Sequence, residues 1–250
     1  MGNKSDFKYP GEEYVRLFKD FFTDINGPDS LSPDRQFASE TWLYNVFCSK
    51  GSVLEKAGFA LLDIAAGSIY DAPGSLKLFE SLIYPTNPKV PGLIFVVTQN
   101  ETEVQGKLIV YCIDLIIQDG SPHEEEKKIF SDAIDAFCKG EVRIIEERNA
   151  FPPGRLLAGT AADCGLVNYF EEKDIPFLDR LLRTMLPVYK NILEAATTSD
   201  ARKDDYEQMN RSRARIMEWI TNEDVGVIIA RENNIPFEII ESYAFPPLAR

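Results

Sequence analysis

The chain has 250 residues, 44% of them hydrophobic. That is enough for a sizeable core, and no run reaches the roughly eighteen apolar residues of a membrane helix. Its 27 Lys and Arg against 40 Asp and Glu leave a formal charge of −13, which argues against nucleic acid as a partner because phosphate binding needs a basic surface. It leaves room for a local basic pocket and a small-molecule substrate.

In chain order, the opening "MGNKSDFKYPGEEY" is polar and lacks an apolar signal core. Gly2 is not followed by the Ser or Thr of a myristoylation pattern. Residues 1–13 are expected to be disordered. From Pro10 to Ile25, Tyr14, Leu17, Phe18, Phe21 and Phe22 recur at helical spacing. "SETWLYNVFCSKGSVLEKAGFALLDIAAG" reads as two strands joined around Ser49 to Ser52. Residues Pro73 to Leu82 read as a short helix capped by Asp71. The rigid turn "YPTNPKVP" then leads into strands at Gly92 to Thr98 and Lys107 to Ile117.

"SPHEEEKKIFSDAIDAFCKG" predicts a helix with Ser121 as cap, Pro122 at its first position, one face of Ile129, Ala133, Ile134 and Phe137, and Gly140 as its stop. "FPPGRLLAGTAADCGLVNYF" predicts a loop running into a short strand. "DIPFLDRLLRTMLPVYKNILEAATTSD" predicts a long helix with a kink at Pro187. "DDYEQMNRSRARIMEWI" reads as helix or as the start of a strand. "VGVIIA" and "PFEIIESYAF" read as two closing strands. The pattern predicts an α+β fold, one domain over 1–250, with a largely antiparallel sheet flanked on both faces by helices.

Cys48, Cys112, Cys138 and Cys164 are widely spaced, no pair has C-x-x-C spacing, and His123 is the one histidine. This argues against a zinc site, a His-rich iron site and a Ser-His or Cys-His nucleophile, so no metal is expected. Reduced thiols and a cytoplasmic location are expected.

Five segments in order resemble the oxygen-dependent coproporphyrinogen III oxidases. "YPTNPKVPGLIF" is similar to that family's H-P-x-N-P-x-x-P-T-x-H, and "SVLEKAGF" to its G-x-V-F-E-K-A-G-V. "YCIDLI" is similar to G-G-x-D-L-T, "RARIMEW" with "NEDVG" to R-G-R-Y-V-E-F with x-x-D-R-G, and "FPPLA" to a closing S-L-P-P. The resemblance spans Tyr14 to Arg250. It implies a flat antiparallel sheet sandwiched by helices, a homodimer, and oxidation by O2 with neither metal nor organic cofactor.

Departures from the family pattern shape the functional expectation. Tyr84 and Ile94 stand where the family has histidines, and Thr98 where it has an arginine. Val110, Tyr111 and Cys112 replace its glycines, Tyr169 and Phe170 its acidic pair, and Val225 another arginine. Asn87, Asp114, Arg213, Arg215, Glu218 and Asp224 are kept. Losing that many cationic and donor groups argues against a tetracarboxylate substrate. The resemblance thus implies a diverged enzyme oxidising a smaller carboxylate-bearing, heteroaromatic intermediate, by oxidative decarboxylation or dehydrogenation. A cyclase or isomerase, an authentic coproporphyrinogen oxidase and a non-catalytic tetrapyrrole binder remain alternatives.

Arg213 and Arg215, two apart, would share a face of a strand and clamp a substrate carboxylate; otherwise "RSRAR" is a solvated run paired with Asp204 and Asp205. Asp114, inside the apolar run "LIVYCIDLII", is either a general base or N–H anchor, or a structural acid. Tyr169 is the second catalytic candidate, and Tyr84 a binding one, against a plain core role for each. Asn87 suits a turn as well as a ligand contact. Arg155, after Pro-Pro-Gly on a lid-like loop, completes the binding set.

Overall fold

The computed structural model describes residues 9–104, 106–139 and 164–247. Seven strands form one antiparallel sheet in sequential order: β1 (Arg35–Ala38), β2 (Trp42–Ser49), β3 (Leu54–Ile69), β4 (Ala72–Pro85), β5 (Gly92–Thr102), β6 (Gly106–Ile116) and β7 (Leu166–Phe170). Helices α1 (Glu12–Asn26), α2 (Glu124–Cys138) and α3 (Ile175–Thr197) cover one face. Helices α4 (Lys203–Asn222), α5 (Val225–Glu232) and α6 (Phe237–Ala244) cover the other. The α+β sandwich is as the alternation of elements predicts. No helix among the described residues is long and apolar enough to cross a membrane.

Strand period builds both cores. On β4, Phe79, Ser81 and Ile83 point to the α1–α3 side, where Phe18, Phe22, Phe59, Phe79 and Phe95 pack ring on ring. Leu76, Leu78, Leu82 and Tyr84 point to the α4–α6 side. Residues 73–82, expected to be helical, are therefore the heart of a long strand. Tyr70 and Asp71, both left-handed (φ 55° and 61°), make the two-residue turn that pairs Ile69 with Ala72, and the hairpin's cross-strand contacts outweigh local helical spacing.

Other expectations shift. Tyr9, inside the stretch expected to be disordered, is buried and shares a hydrogen bond with the Tyr14 phenol. The second helix begins at Glu124, after a left-handed His123, and not at a Ser121 cap. Ser121 donates its N–H and Oγ–H to Asp119, which also meets His123 and Lys89. That helix buries Phe130, Ile134 and Cys138 and leaves Ile129 exposed; Gly140 lies outside the described residues. The third helix runs on through Pro187.

The two closing segments are helices, not strands. Asp224 caps α5 by accepting the Val227 N–H at 2.9 Å, and left-handed Asn234 turns the chain before Pro236 starts α6. Short apolar runs suit either state, and the caps decide.

Candidate functional site

A cavity of about 880 Å3 lies between the sheet and the α4–α5 corner. Its sheet wall is built by one face of β4 to β7, including Leu78, Val96, Val110 and Val167. Trp219 and Ile229, with the turn between α4 and α5, close the opposite side. No Lys, Arg or His lines it among the described residues. Three acids line it: Glu80 from β4, 6% exposed, Asp224 from the α5 cap, which keeps part of its surface open, and the exposed Glu223 beside it.

Burial pushes the Glu80 carboxyl up to about 8, the Asp224 charge adds to that, and a Tyr243 hydrogen bond opposes it. Burial also raises Asp224, to about 6, against the pull of the Val227 and Gly226 N–H groups that favour its anion. Both shifts favour keeping a proton on the pair, and the two carboxyls titrate as one unit. Tyr243 donates to Glu80 Oε2 at 2.7 Å, and Tyr44 and Tyr243 share a hydrogen bond of 2.9 Å. A hydroxyl has one hydrogen, so Tyr44 is the donor to Tyr243. Burial holds both phenols well above their ordinary value, so they orient Glu80 and do not ionise.

An acid with a raised folded value binds more protons folded than unfolded. Its stabilising contribution is whole below the unfolded value and is lost as pH rises through the folded one. Stability is thus expected to fall between pH about 4.5 and about 8 on account of Glu80. Glu80→Gln should flatten that part of the curve, read as denaturation midpoints across the window. Identical slopes in the two proteins would refute the assignment.

The predicted site residues do not assemble around this cavity, with one exception. Tyr169 on β7 lines its mouth and is 46% exposed. Arg213 and Arg215 lie on α4, where two residues turn about 200° around the axis. The shared clamp fails for that reason. Arg213 is buried among protein acceptors, and Arg215 is exposed. Asp114 is on the cavity's side of β6 beyond Cys112 but is covered: it accepts the Leu115 N–H and the Cys164 thiol, and Gly165 packs against it. The expected cavity shared by the arginines and Asp114 is not formed.

Asn87 is a turn residue, accepting the Lys89 N–H and donating to Ser199 O. Tyr84 is core, its hydroxyl donating to Ala244 O at 2.8 Å. Arg155 lies outside the described residues. Glu80 was missed because its segment reads as helix; the strand alternation of Leu76, Leu78, Glu80, Leu82 and Tyr84 was the signal that could have exposed it. Asp224 appeared only as a residue kept within the resemblance.

No family model and no curated protein matches the chain. Among solved structures it is similar to phytochromobilin synthase from tomato in complex with biliverdin, with a TM-score of 0.62 and 11% identity, covering 93% of this chain and 80% of that one. At that identity the likeness shows the fold. The coproporphyrinogen-oxidase resemblance rests on its sequence segments alone.

Proposed function

We propose that the protein is an enzyme that takes an open-chain tetrapyrrole or a fragment of one into the Glu80–Asp224 cavity and protonates it. The observation that carries this reading is the buried acid pair, Glu80 and Asp224, both raised by burial, in a largely apolar cavity with no Lys, Arg or His among its described lining residues. Its volume falls within the range of about 300–1,000 Å3 usual for small-molecule sites. The fold neighbour was solved with biliverdin bound, and the sequence resemblance also points to a pyrrole-built substrate.

Apolar walls suit flat conjugated rings, and a carboxylate suits pyrrole N–H groups. With no cation among the described lining residues, any propionate on the ligand stays in water at the mouth, beside Tyr70 and Tyr169. Glu80 breaks its O–H bond and gives the proton to a ring nitrogen or bridge carbon. Asp224, ionised, offsets the positive charge formed. Protonation makes the conjugated system a better electron acceptor, and electrons for a reduction come from a one-electron donor outside the chain. The second reading is O2-dependent oxidation, favoured by the five resembling segments. It uses the same pocket and differs in what is consumed.

The test is titration with biliverdin followed by its visible absorption. Saturable one-to-one binding is expected, abolished by Val110→Trp, which fills the cavity from β6, with the circular dichroism unchanged. Bound ligand is then exposed to dithionite without oxygen, or to air over an oxygen electrode, to separate reduction from oxidation. No binding, or equal binding by Val110→Trp, would overturn the proposal.

A further inference from the structure

We infer that the cavity has a second, outer subsite, in which Tyr70, Tyr169 and Val225 pack against a ring of the ligand remote from the ring that meets Glu80. This rests on the pyrrole reading above and narrows its ligand from a fragment to a chain of linked rings.

Three observations carry it. The first is where the exposed apolar surface lies. Of the seven exposed large hydrophobic side chains among the described residues, Tyr70, Tyr169 and Val225 all line this cavity, at 37%, 46% and 45% exposure. Ile228, 39% exposed, stands one turn of α5 beyond Val225. Single exposed apolar residues are ordinary, but a group of them around one opening marks a binding surface. A ligand reaches these side chains without any movement of the protein.

The second is separation. Leu78, Thr98, Val110 and Tyr169 are paired in one row across β4, β5, β6 and β7, and Glu80 lies two residues along β4 from Leu78 on the same face. Three strand spacings put about 14 Å of sheet between β4 and β7. Glu80 and Tyr169 therefore occupy opposite corners of the cavity floor, and a ligand that meets both is elongated. Tyr70 comes from the turn that begins β4, and Val225 from the start of α5, so the rim is built from three separate elements.

The third is the backbone of Tyr70. Its φ of 55° is a left-handed position that Asn or Gly adopts more readily than a bulky phenol. Residues held against local preference gather at ligand clamps. Burial, and then the Tyr169 phenol beside it, push the Tyr70 phenol up to about 12, so it is neutral near pH 7 and offers an uncharged ring. Glu223, exposed at the same rim, disfavours a ligand carboxylate there and leaves the subsite to a ring face or a ring N–H. Flat aromatic side chains suit a conjugated ring, by offset stacking or edge-to-face contact.

The test uses biliverdin, with four linked rings, and a dipyrrinone, with two. Tyr70→Ala and Tyr169→Ala are each expected to weaken biliverdin about five- to tenfold and to leave the dipyrrinone within about twofold of the wild type, with the circular dichroism unchanged. Tyr70→Phe and Tyr169→Phe, which keep the ring and lose the hydroxyl, should bind biliverdin as the wild type does. Both affinities are read from visible absorption. Alanine variants that bind biliverdin as tightly as the wild type, or that weaken both ligands alike, overturn the outer subsite alone. Phenylalanine variants as weak as the alanine ones also overturn it, because the hydroxyl and not the ring would then be the contact. A wild type that binds neither ligand defeats the pyrrole reading and the subsite with it.

Discussion

Glu80→Gln is expected to slow conversion of a bound open-chain tetrapyrrole by about 10²- to 10⁴-fold, the usual cost of removing a general acid. Glutamine keeps the length and still accepts the Tyr243 hydroxyl through its carbonyl, so the phenol chain through Tyr44 stays in place. What is lost is the acidic proton. Binding of biliverdin should change little, so the loss falls on kcat. The alkaline limb of the wild-type profile, set by a carboxyl raised to about 8, should vanish with it. Asp224→Asn should act differently: it removes a charge that raises Glu80, so the limb moves to lower pH in a protein that still turns over. Stopped-flow measurement of single turnovers reads both effects. A Glu80→Gln rate within about threefold of the wild type would remove Glu80 from the chemistry.

Arg213→Met is expected to cost about 3–5 kcal/mol of stability, as breaking a buried ion pair does. At roughly 2–4 °C per kcal/mol for a chain of this size, the melting point should drop by about 6–20 °C. The guanidinium is 0% exposed. It donates to Gln118 Oε1 at 2.9 Å, to Pro85 O at 2.9 Å, to Pro247 O at 2.8 Å and to Glu55 Oε2 at 2.6 Å. One side chain thus ties the end of β4, the start of β3, the segment after β6 and the chain beyond α6. Methionine fills the volume but leaves those acceptors without their donor, and Glu55, 30% exposed, keeps only its contact with water. Lysine keeps the charge without the planar fork and should fall between the two. Biliverdin affinity, measured where each variant is folded, should not move. A loss under about 1 kcal/mol, or a selective loss of ligand, would restore the carboxylate-clamp role expected of this residue.

Arg213 shows how a correct residue acquires the wrong role. Two arginines two apart imply a shared face if the segment is a strand and opposite sides if it is a helix, and "RSRAR" permits both. The α1 face was legible because Tyr14, Phe18, Phe21 and Phe22 keep one period over a full helix. The strands after Gly92 were legible because β-branched runs lie between turn residues. Residues 73–82 were not, since Leu76, Phe79 and Ile83 satisfy a helical spacing as readily as Leu76, Leu78 and Leu82 satisfy a strand.

By itself, the sequence determined the layered α+β class, the strands on either side of residues 73–82, the long helix after β7 and the presence of acids in apolar stretches. Those follow from local periodicity and composition. Only the tertiary structure decided which acid faces a cavity. Asp114 and Glu80 are both acids in apolar strands, yet Gly165 packs over the first while the α4–α5 turn leaves space above the second. Depth, desolvation and the company of a second carboxyl depend on elements distant in sequence, Gly165 for Asp114 and the α4–α5 turn for Glu80. Local pattern carries no record of them.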